Sequence, residues 1–483
     1  MATADRGRYS GMKALIMGLG LHGGGLGAAC FLARHGAELT VTDLRGEEAL
    51  RPSIEALNEF VAGIHGKPVR YVLERHDLRD FADADFVVKN PGAPPDSPFL
   101  KAARRVETDI SLFLARNSSR LTAVTGSKGK SFTASAIHFA LGEASGGRAF
   151  LGGNIAVSPL SFPDELPAAC DVVLELSSWQ LGDLPRGLLK PRTAVITAIM
   201  GDHLDRYGTM DAYVADKRVI YQAQDGGDAT IAGDDAWGKS FLDETPGRPY
   251  SYGNKRPDGS GAYVCGDGGH CLAVGPVGGL APGETARIVP AAPAAPGLHQ
   301  KVNLMAAGLA LLDLGLPAPF IYDCMGRFPG IEHRLEFFHE NDGVRFYNDT
   351  AATIPEAAAA AVRALGSPVV VSGGTDKNLD FSPLADALAR ARSVVLLSGT
   401  GSVKLARLLD ARGIPYSGPW DSLDKAVRAV SAALVSAPRG ASVVLSPGCA
   451  SFGMFLNEFD RGLKWKSAIK DFFAGQPAPN VRQ

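Results

Sequence analysis

Short apolar runs alternate with polar loops and amphipathic stretches along almost the whole chain. The runs at residues 12–17, 121–124 and 171–174 are apolar and β-prone, and each is followed by a glycine-rich or polar loop. The first two loops lead directly into helical patterns. Because repeated strand–loop–helix units build parallel sheets covered by helices, this pattern predicts an α/β fold.

The first of these loops is glycine-rich and has the sequence GLGLHG at residues 18–23. A helical pattern follows through His35, and a second strand at residues 38–42 ends at Asp43. A GxGxxG loop with an acid about 20 residues later is typical of a dinucleotide-binding βαβ unit. By itself this first unit therefore predicts a nicotinamide dinucleotide as the ligand.

The second loop has the sequence TGSKGKS at residues 125–131 and leads into a helix at 132–141. Such a turn points backbone N–H groups at an anion, with Lys130 reaching the β and γ phosphates and the Ser131 hydroxyl binding magnesium. Valine at position 124 makes it a shorter TGxxGK[ST] variant of the GxxxxGK[ST] motif. A polar surface turn is the alternative interpretation, but the strand before and the helix after favour nucleoside triphosphate binding.

Polar side chains follow two later strands of the same segment. Glu175 follows the strand at 171–174, and Asp202, His203 and Asp205 follow a strand predicted at 193–199. Since the carboxyl ends of parallel strands line the ligand crevice, these groups should converge on the phosphate loop. We interpret Glu175 as a Mg²⁺ ligand rather than as a surface carboxylate. We interpret His203 as a ligand or an orienting group.

A helix is predicted next at residues 211–223, with Thr209 as its N-cap. It contains Lys217, which by its local pattern is an ordinary exposed helical lysine. The glycine- and proline-rich stretch at 253–297 predicts short hairpins and loops. Cys265, His270 and Cys271 lie in that stretch and are interpreted as loop residues rather than zinc ligands, because no second ligand pair follows.

The third segment begins a new series of alternating elements. Strands are predicted near 343–348, 368–372, 393–398 and 442–446, with helices between them at 355–365, 402–412 and 422–435. The pattern indicates another doubly wound sheet with polar residues at its strand ends.

Composition limits the class of protein. A chain of 483 residues predicts about three domains, and 46% hydrophobic with 21% charged residues is typical of a globular enzyme. The formal net charge of -2 gives no basic surface for nucleic acid. The chain shows no apolar run of membrane-spanning length, no apolar leader after Met1 and no disulfide pattern among its six cysteines. We therefore expect a cytoplasmic protein without a nucleic-acid or membrane partner.

Taken together, these motifs resemble the Mur ligases, the ATP-dependent amide-forming enzymes of peptidoglycan synthesis. The resemblance covers nearly the whole chain, with the motifs in the family's order. They are GLGLHG at 18–23, NPGAPP at 90–95, TGSKGKS at 125–131, GGNI at 152–155, LELSSWQL at 174–181, DHLDRYG at 202–208, GLHQKVN at 297–303, EHRLEFF at 332–338, YNDTAAT at 347–353, GGTDKNLDF at 373–381 and SPGCASF at 446–452.

The resemblance implies an α/β protein of three domains. These are a Rossmann-like N-terminal domain at 1–115 for a UDP-sugar, a central P-loop ATPase-type domain at 116–328 and a C-terminal Rossmann-like domain at 329–483 for glutamate. It also implies a monomer that closes about hinges near residues 116 and 329. The first glycine loop is then a UDP site, and a dinucleotide site remains the alternative.

The resemblance implies a role for each matching residue. The UDP-sugar would be bound by Gly20, Leu21, His22, Gly23, Asp43, Arg45, Asn90, Gly92 and Asn154. ATP would be bound by Gly126, Ser127, Lys128, Gly129, Lys130, Ser131, Asn303, Arg334 and Asp349. Glutamate would be bound by Thr353, Lys377 and Ser451. Two Mg²⁺ ions would be held by Ser131, Glu175, His203 and a carbamylated Lys217, and the catalytic residues would be Lys130, His203, Lys217, Arg334 and Asp349.

The implied reaction joins glutamate to UDP-N-acetylmuramoyl-L-alanine through an acyl phosphate. D-glutamate is the expected amino acid. L-glutamate is the alternative, because Ala351 replaces a usual lysine and residues 457–459 depart from the usual order. Lys128 stands where the phosphate loop usually has asparagine. The motifs also leave open another ligase of the superfamily, such as a folylpolyglutamate synthase, and a nucleotide-dependent sensor or scaffold without activity.

Overall fold

The first sheet consists of five parallel strands. The computed structural model describes residues 8–21, 23–155, 157–167, 169–201, 204–266, 269–435 and 437–474, with the backbone alone described at 204 and 205. The strands are β1 (Lys13–Met17), β2 (Glu38–Asp43), β3 (Arg70–Leu73), β4 (Phe86–Lys89) and β5 (Val106–Glu107), in the order β3-β2-β1-β4-β5. The helices are α1 (Gly24–Arg34), α2 (Glu47–Gly63), α3 (Leu78–Asp83), α4 (Pro98–Ala102) and α5 (Asp109–Leu114).

The central sheet is parallel around the phosphate loop and ends in antiparallel hairpins. Its strands are β6 (Arg120–Thr125), β7 (Ala149–Gly153), β8 (Asp171–Glu175), β9 (Thr193–Ile196), β10 (Ala229–Gly233), β11 (Arg248–Gly253), β12 (Gly261–Val264), β13 (Cys271–Val274) and β14 (Thr285–Val289), in the order β14-β13-β12-β11-β10-β9-β6-β8-β7. Its helices are α6 (Lys130–Ser145), α7 (Ser178–Gly182), α8 (Leu204–Tyr207), α9 (Met210–Arg218), α10 (Ala236–Glu244), α11 (Leu298–Asp313) and α12 (Ala318–Arg327), with a 3₁₀ turn at Pro159–Ser161.

The third sheet has one antiparallel edge strand on an otherwise parallel sheet. Its strands are β15 (Glu336–Asn341), β16 (Val344–Asn348), β17 (Val369–Ser372), β18 (Ser393–Leu397), β19 (Ser417–Trp420) and β20 (Ser442–Leu445), in the order β15-β16-β20-β17-β18-β19. Its helices are α13 (Pro355–Leu365), α14 (Ser382–Leu388), α15 (Thr400–Ala411), α16 (Leu423–Leu434) and α17 (Glu458–Phe473).

The chain forms two compact units. One comprises Met1–Pro290 with Val302–Met325 and contains the first and central sheets, and the other comprises Ala291–Lys301 with Gly326–Gln483 and contains the third sheet. The domain boundaries expected at 115/116 and 328/329 remain predictions. Within the part of the chain that the structure describes, no helix is long and apolar enough to cross a membrane.

The α/β prediction is confirmed, and the differences in detail have local causes. The strand expected at 193–199 ends at Ile196, because the backbone N–H of Ser127 bonds to the Ala198 carbonyl at 2.8 Å and draws the chain onto the phosphate loop. Helix α9 ends at Arg218 rather than near 223, and Thr209 is its N-cap as predicted. Cys271, expected in a loop, is buried and begins β13.

Candidate active site

The phosphate loop connects the end of β6 to α6 and depends on two glycines. Gly126 has φ 144° and Gly129 has φ 92°, both in the region that favours glycine. A Cβ at Gly126 would lie 2.0 Å from the Thr197 hydroxyl oxygen, and a Cβ at Gly129 would lie 2.5 Å from Asn303 Oδ1. The loop therefore has no room for side chains at these positions, and Asn303 lies directly beside it.

Ser127 also fixes the phosphate loop to the chain that follows β9 and to helix α9. Its Oγ donates to the Met200 carbonyl at 2.9 Å and lies 2.9 Å from the Tyr213 hydroxyl. Tyr213 belongs to α9, so this contact joins the loop to the helix that carries Lys217. Lys128, by contrast, is exposed at the surface of the loop.

Two lysine ammonium groups meet at the first glycine of the loop. Lys130 Nζ donates to the carbonyls of Gly126 and Ser127 at 3.0 and 3.1 Å, and Lys217 Nζ donates to the Gly126 carbonyl at 2.9 Å. Lys217 is 1% exposed and lies 4.5 Å from the centre of the Tyr213 ring, so the interpretation of an exposed helical lysine is wrong. An anion bound at this loop would therefore meet both ammonium groups.

Glu175 combines burial with an oxygen suited to a cation. It ends β8, is 1% exposed, and accepts a hydrogen bond at Oε1 from Asn154 Nδ2 at 2.9 Å. Its Oε2 is buried and has no hydrogen-bond partner among the described residues. Since buried carboxylate oxygens are nearly always paired, this oxygen fits a hard divalent cation, and Ser131 lies half-buried in the first turn of α6.

His203, the other predicted protein ligand, lies outside the described residues. Lys217 as an ammonium is a donor and cannot bind a metal, whereas a carbamate on its Nζ would offer hard oxygen atoms. The residues present therefore fit one Mg²⁺ at Glu175 directly. A second ion would depend on the modification of Lys217.

The first glycine loop is organised around a carboxylate. Asp43 ends β2, is buried, and accepts the backbone N–H groups of Gly20 at 3.4 Å and Arg45 at 3.0 Å. Gly23, with φ 86°, is the N-cap of α1, and the Leu21 side chain is 47% exposed. His22 lies outside the described residues. The predicted residues Gly20 and Arg45 are thus both in direct contact with Asp43.

Asn90 and Gly92 form the neighbouring loop at the same sheet edge. The Asn90 backbone N–H donates to the Met17 carbonyl at 2.9 Å, and Gly92 N–H donates to Asn90 Oδ1 at 2.9 Å. A Cβ at Gly18 would lie 3.0 Å from the Asn90 Cβ. The two predicted UDP-binding loops therefore pack against each other.

A cleft of about 520 Å³ joins the first sheet to the phosphate loop. It brings together predicted residues from both sides, namely Asn90, Gly92, Gly126, Lys130, Asn154 and Lys217. It is also lined by groups that sequence reasoning did not assign, namely Asp109, Trp179, Gln180 and Tyr213. The motif LELSSWQL contained the signal for Trp179 and Gln180, because it directly follows a strand that lines the phosphate loop.

Asp109 is a buried acid on the wall of this cleft. It accepts hydrogen bonds from Ser158 Oγ and the Ile110 N–H, each at 2.9 Å. Burial nevertheless raises the pKa of Asp109 above its usual value. Its contact with Ser158 joins α5 of the first sheet to the chain just before the 3₁₀ turn of the central segment.

The second compact unit contains the predicted residues Arg334 and Asp349. Asp349 follows β16 and accepts from Ser446 Oγ at 2.6 Å and from the Leu335 N–H at 3.0 Å. Burial raises the pKa of Asp349 to about 7, and the nearby Arg334 charge opposes this shift. Arg334 itself is exposed, in contrast to Asp349.

The predicted glutamate-binding residues lie on three joined loops at the carboxyl edge of the third sheet. Gly448 N–H donates to the Ala352 carbonyl at 2.8 Å, and Thr375 and Ala450 exchange two backbone hydrogen bonds at 3.0 Å. The three residues are Thr353, which is half-buried, Lys377, which is exposed, and Ser451, which is buried.

Arg461 stabilises these loops and was not anticipated from the sequence. It lies on α17, is 1% exposed, and donates to the Thr350 hydroxyl at 2.9 Å, the Thr350 carbonyl at 3.0 Å and the Cys449 carbonyl at 3.2 Å. Burial lowers its pKa to about 10. A basic residue in the first turns of a C-terminal helix normally indicates a solvated face, so the local pattern contained no signal for this role.

Comparisons with known proteins cover most of the chain. The family models described as Mur ligase MurD-like N-terminal domain, Mur ligase middle domain and Mur ligase glutamate ligase domain match residues 12–111, 124–310 and 333–449. The chain belongs to the Mur ligase family. It is therefore an ATP-dependent, ADP-forming ligase rather than the dinucleotide oxidoreductase that its first glycine loop alone suggested.

Two curated relatives of this Mur ligase are similar over nearly their full length. The UDP-N-acetylmuramoylalanine–D-glutamate ligase of Treponema pallidum is 38% identical, covering 97% of this chain and 99% of the relative. The ligase of the same name from Roseiflexus sp. is 39% identical, covering 96% and 100%.

Among solved structures, the UDP-N-acetylmuramate–alanine ligase MurC of Thermotoga maritima has a TM-score of 0.52 at 17% identity, covering 96% of this chain and 100% of that one. This likeness concerns the fold alone. In this chain that fold consists of three sheets.

Proposed function

We propose that this Mur ligase joins D-glutamate to UDP-N-acetylmuramoyl-L-alanine, with ATP converted to ADP and phosphate, in cytoplasmic peptidoglycan synthesis. The observation that carries the proposal is the cleft in which Asn90 and Gly92 of the first sheet face Lys130 and Lys217 of the central sheet. The names of relatives at 38% and 39% identity support the same substrates. The proposal includes a monomer that acts without nucleic acid or membrane.

The sugar nucleotide would bind at the carboxyl edge of the first sheet. Backbone N–H groups of the glycine loop would meet its diphosphate, and Asp43 with Arg45 would contact the uridine end. Asn90 and Gly92 would bind from the neighbouring loop, and Asn154 would bind from the central sheet. The contact between Asp43 and the Gly20 N–H at 3.4 Å supports this arrangement, because it orients the loop toward a ligand at the strand ends.

ATP would bind at the phosphate loop. Residues 126–131 would surround its phosphates, with Lys130 neutralising the β and γ groups and Lys128 adding charge at the rim. Asn303 would contact the nucleoside end, since it already lies beside Gly129. Arg334 and Asp349 would join the site when the segments close about hinges near residues 116 and 329.

Two Mg²⁺ ions complete the proposed ATP site. One would be held by Ser131 and Glu175, and the other by Glu175, His203 and a carbamylated Lys217. The unpaired Oε2 of Glu175 supports the first of these, and the burial of Lys217 supports a functional role for that residue. When bound, the ions would neutralise phosphate charge and so allow two anions to approach each other.

The reaction would proceed in two steps. The alanine carboxylate attacks the γ-phosphorus, the bond to the β-γ bridging oxygen breaks, and an acyl phosphate and ADP result. The glutamate amine then attacks the acyl carbon, and the tetrahedral intermediate expels phosphate. Lys130 would stabilise the charge that develops in the first step, while Thr353, Lys377 and Ser451 would hold the glutamate carboxylates.

L-glutamate is a second candidate for the amino acid. Ala351 lies on the loop that also carries Thr353, and it lacks the positive charge usual in this family. The segment at 457–459 likewise departs from the usual order. Both changes lie in the segment proposed to bind glutamate, so they would bear on the incoming amino acid.

Phosphate release from ATP tests the proposal directly. The purified protein is given UDP-N-acetylmuramoyl-L-alanine with either D-glutamate or L-glutamate, and free Mg²⁺ is varied. Turnover with D-glutamate alone is expected, and it should stop when the metal is chelated. Turnover with only the L form would change the amino acid but keep the mechanism, and no turnover with either form would overturn the substrate assignment.

A further inference from the structure

A buried ion pair connects the first sheet to the central segment. Lys89 Nζ lies 2.6 Å from both carboxylate oxygens of Asp183, and the two side chains are 3% and 9% exposed. The residues are 94 positions apart in the chain. The contact is therefore a tertiary one between two sheets, not a local feature of either.

Each end of the pair is attached to a wall of the cleft. Lys89 is the last residue of β4, pairs with Met17 of β1, and immediately precedes Asn90. Asp183 is the C-cap of α7, whose residues Trp179 and Gln180 line the opposite wall. The pair therefore helps to set the distance across the cleft next to both substrate-facing segments, together with the contact between Asp109 and Ser158.

A gain in folding stability does not explain why this ion pair is buried. Removing two charges from water is unfavourable, and well-packed apolar residues of similar volume usually stabilise a protein as well or better. The same burial raises the pKa of Asp183 although Lys89 lies beside it. An ion pair differs from an apolar contact in defining both distance and direction, because the ammonium must meet the carboxylate oxygens.

We propose that Lys89 and Asp183 are positioning residues, which hold the Asn90–Gly92 loop of the first sheet in register with α7 so that the UDP-sugar spans the cleft toward the phosphate loop. This inference rests on the proposed function. It assigns the pair to sugar-nucleotide binding. The phosphate loop that would bind the ATP phosphates lies in the central segment and makes no hydrogen bond to either residue of the pair among those described, so ATP affinity should not depend on the pair.

The test compares the wild type with the double variant Lys89→Met/Asp183→Leu and the single variant Lys89→Met. The control is Lys190→Met, which removes an ion pair of the same 2.6 Å length whose side chains are 50% and 63% exposed. Three quantities are measured: the thermal midpoint, the Kd for UDP-N-acetylmuramoyl-L-alanine and the Kd for a non-hydrolysable ATP analogue. Amide hydrogen exchange of residues 90–93 is measured in the same proteins.

We expect the double variant to keep the wild-type thermal midpoint, because its apolar pair replaces the charges without leaving one unpaired. Its sugar-nucleotide Kd should nevertheless rise about tenfold or more, since small misplacements of a binding group have large effects. The Kd for the ATP analogue should stay within about twofold of the wild-type value, because the proposed ATP site shares no partner with the ion pair. Lys190→Met should change neither constant, and Lys89→Met should lower the thermal midpoint through the unpaired Asp183.

Recovery of both stability and sugar-nucleotide affinity in the double variant would overturn the inference, because the pair would then be structural only. Equal weakening of both ligands would overturn it as well. A wild type that binds no sugar nucleotide would refute the proposed function instead. In that case hydrogen exchange decides: faster exchange at residues 90–93 in the stable double variant supports positioning, and unchanged exchange contradicts it.

Discussion

The two glycine loops of the first compact unit share a backbone design but differ in charge. Each follows a strand with parallel neighbours on both sides, and each ends in a glycine that caps the next helix with a positive φ, Gly23 at 86° and Gly129 at 92°. Both loops therefore direct helix N-terminal N–H groups at a ligand. The backbone by itself does not distinguish a diphosphate site from a triphosphate site.

The side chains around the loops make that distinction. At the first loop the Gly20 N–H meets the Asp43 carboxylate, whereas at the second the Gly126 carbonyl meets the ammonium groups of Lys130 and Lys217. A carboxylate suits a hydroxyl-bearing ligand held mainly by backbone groups, and the Lys130 ammonium suits a reacting polyphosphate. A glycine pattern therefore predicts a phosphate-binding backbone, and the neighbouring charges decide which ligand binds there.

The largest expected effect comes from removing the cation of the second loop. Lys130→Met should lower kcat on the order of 10³-fold, because one preorganised charge on the transferred phosphate is lost. UDP-sugar binding should change much less, since Lys130 Nζ donates to two carbonyls of its own loop. Steady-state phosphate release and a binding titration measure the two quantities. A comparable loss of UDP-sugar affinity would mean that the loops do not act as separate sites.

Steric differences between the loops predict the next effect. Gly126→Ala should lower kcat/KM for ATP by about 100-fold, because its Cβ would lie 2.0 Å from the Thr197 hydroxyl oxygen and displace the loop. The matched control is Gly20→Ala in the first loop, whose Cβ would meet, among the described residues, Asn90 Nδ2 alone at 3.8 Å. At this position we expect only the backbone strain of an alanine at φ 65° to destabilise the loop, by about 1–2 kcal/mol. Equal effects of the two substitutions on their ligands would contradict the difference in packing.

The carboxylate of the first loop predicts a smaller and ligand-specific effect. Asp43→Asn replaces one acceptor oxygen by an amide donor that faces the N–H groups of Gly20 and Arg45. The Kd for the UDP-sugar should rise about tenfold, whereas the Kd for an ATP analogue should not change. Isothermal titration with each ligand separately checks this. A shift in the ATP constant would show that Asp43 acts beyond its own loop.

Asp349, a carboxylate that follows a strand of the third sheet, predicts an effect of pH on the free energy of unfolding. The pKa of Asp349 is raised to about 7, above the value of about 3.9 for the unfolded chain, so the folded state favours its protonated form. Its contribution therefore becomes unfavourable as pH rises from about 4 to about 7. Asp349→Asn should gain stability relative to the wild type over this window, by up to about 4 kcal/mol. Urea unfolding of both proteins at pH 5 and pH 8 measures this change, and a pH-independent difference would exclude titration of Asp349.

The local sequence pattern was sufficient to predict the main strands and helices. The strand at 121–124, the loop at 125–131 and the helix after it could be predicted because residues close in sequence determine a strand, a tight turn and a helix start. Helix Pro355–Leu365 was predicted at its observed bounds, with proline at its start. The edge strand Glu336–Asn341 was missed, because its residues alternate weakly and it pairs only with its neighbour β16.

The sequence by itself determined the order of sheets, the two glycine loops and the motifs that indicate the family. Only the tertiary structure decided that Lys217 is buried at the phosphate loop, that Glu175 keeps one oxygen unpaired, and that Lys89 meets Asp183 across the cleft. The physical reason is that backbone preference is local, whereas burial and pairing of a charge depend on segments far apart in the chain. A lysine has the same local pattern whether it ends in solvent or beside a phosphate, and the packing of distant strands decides between them.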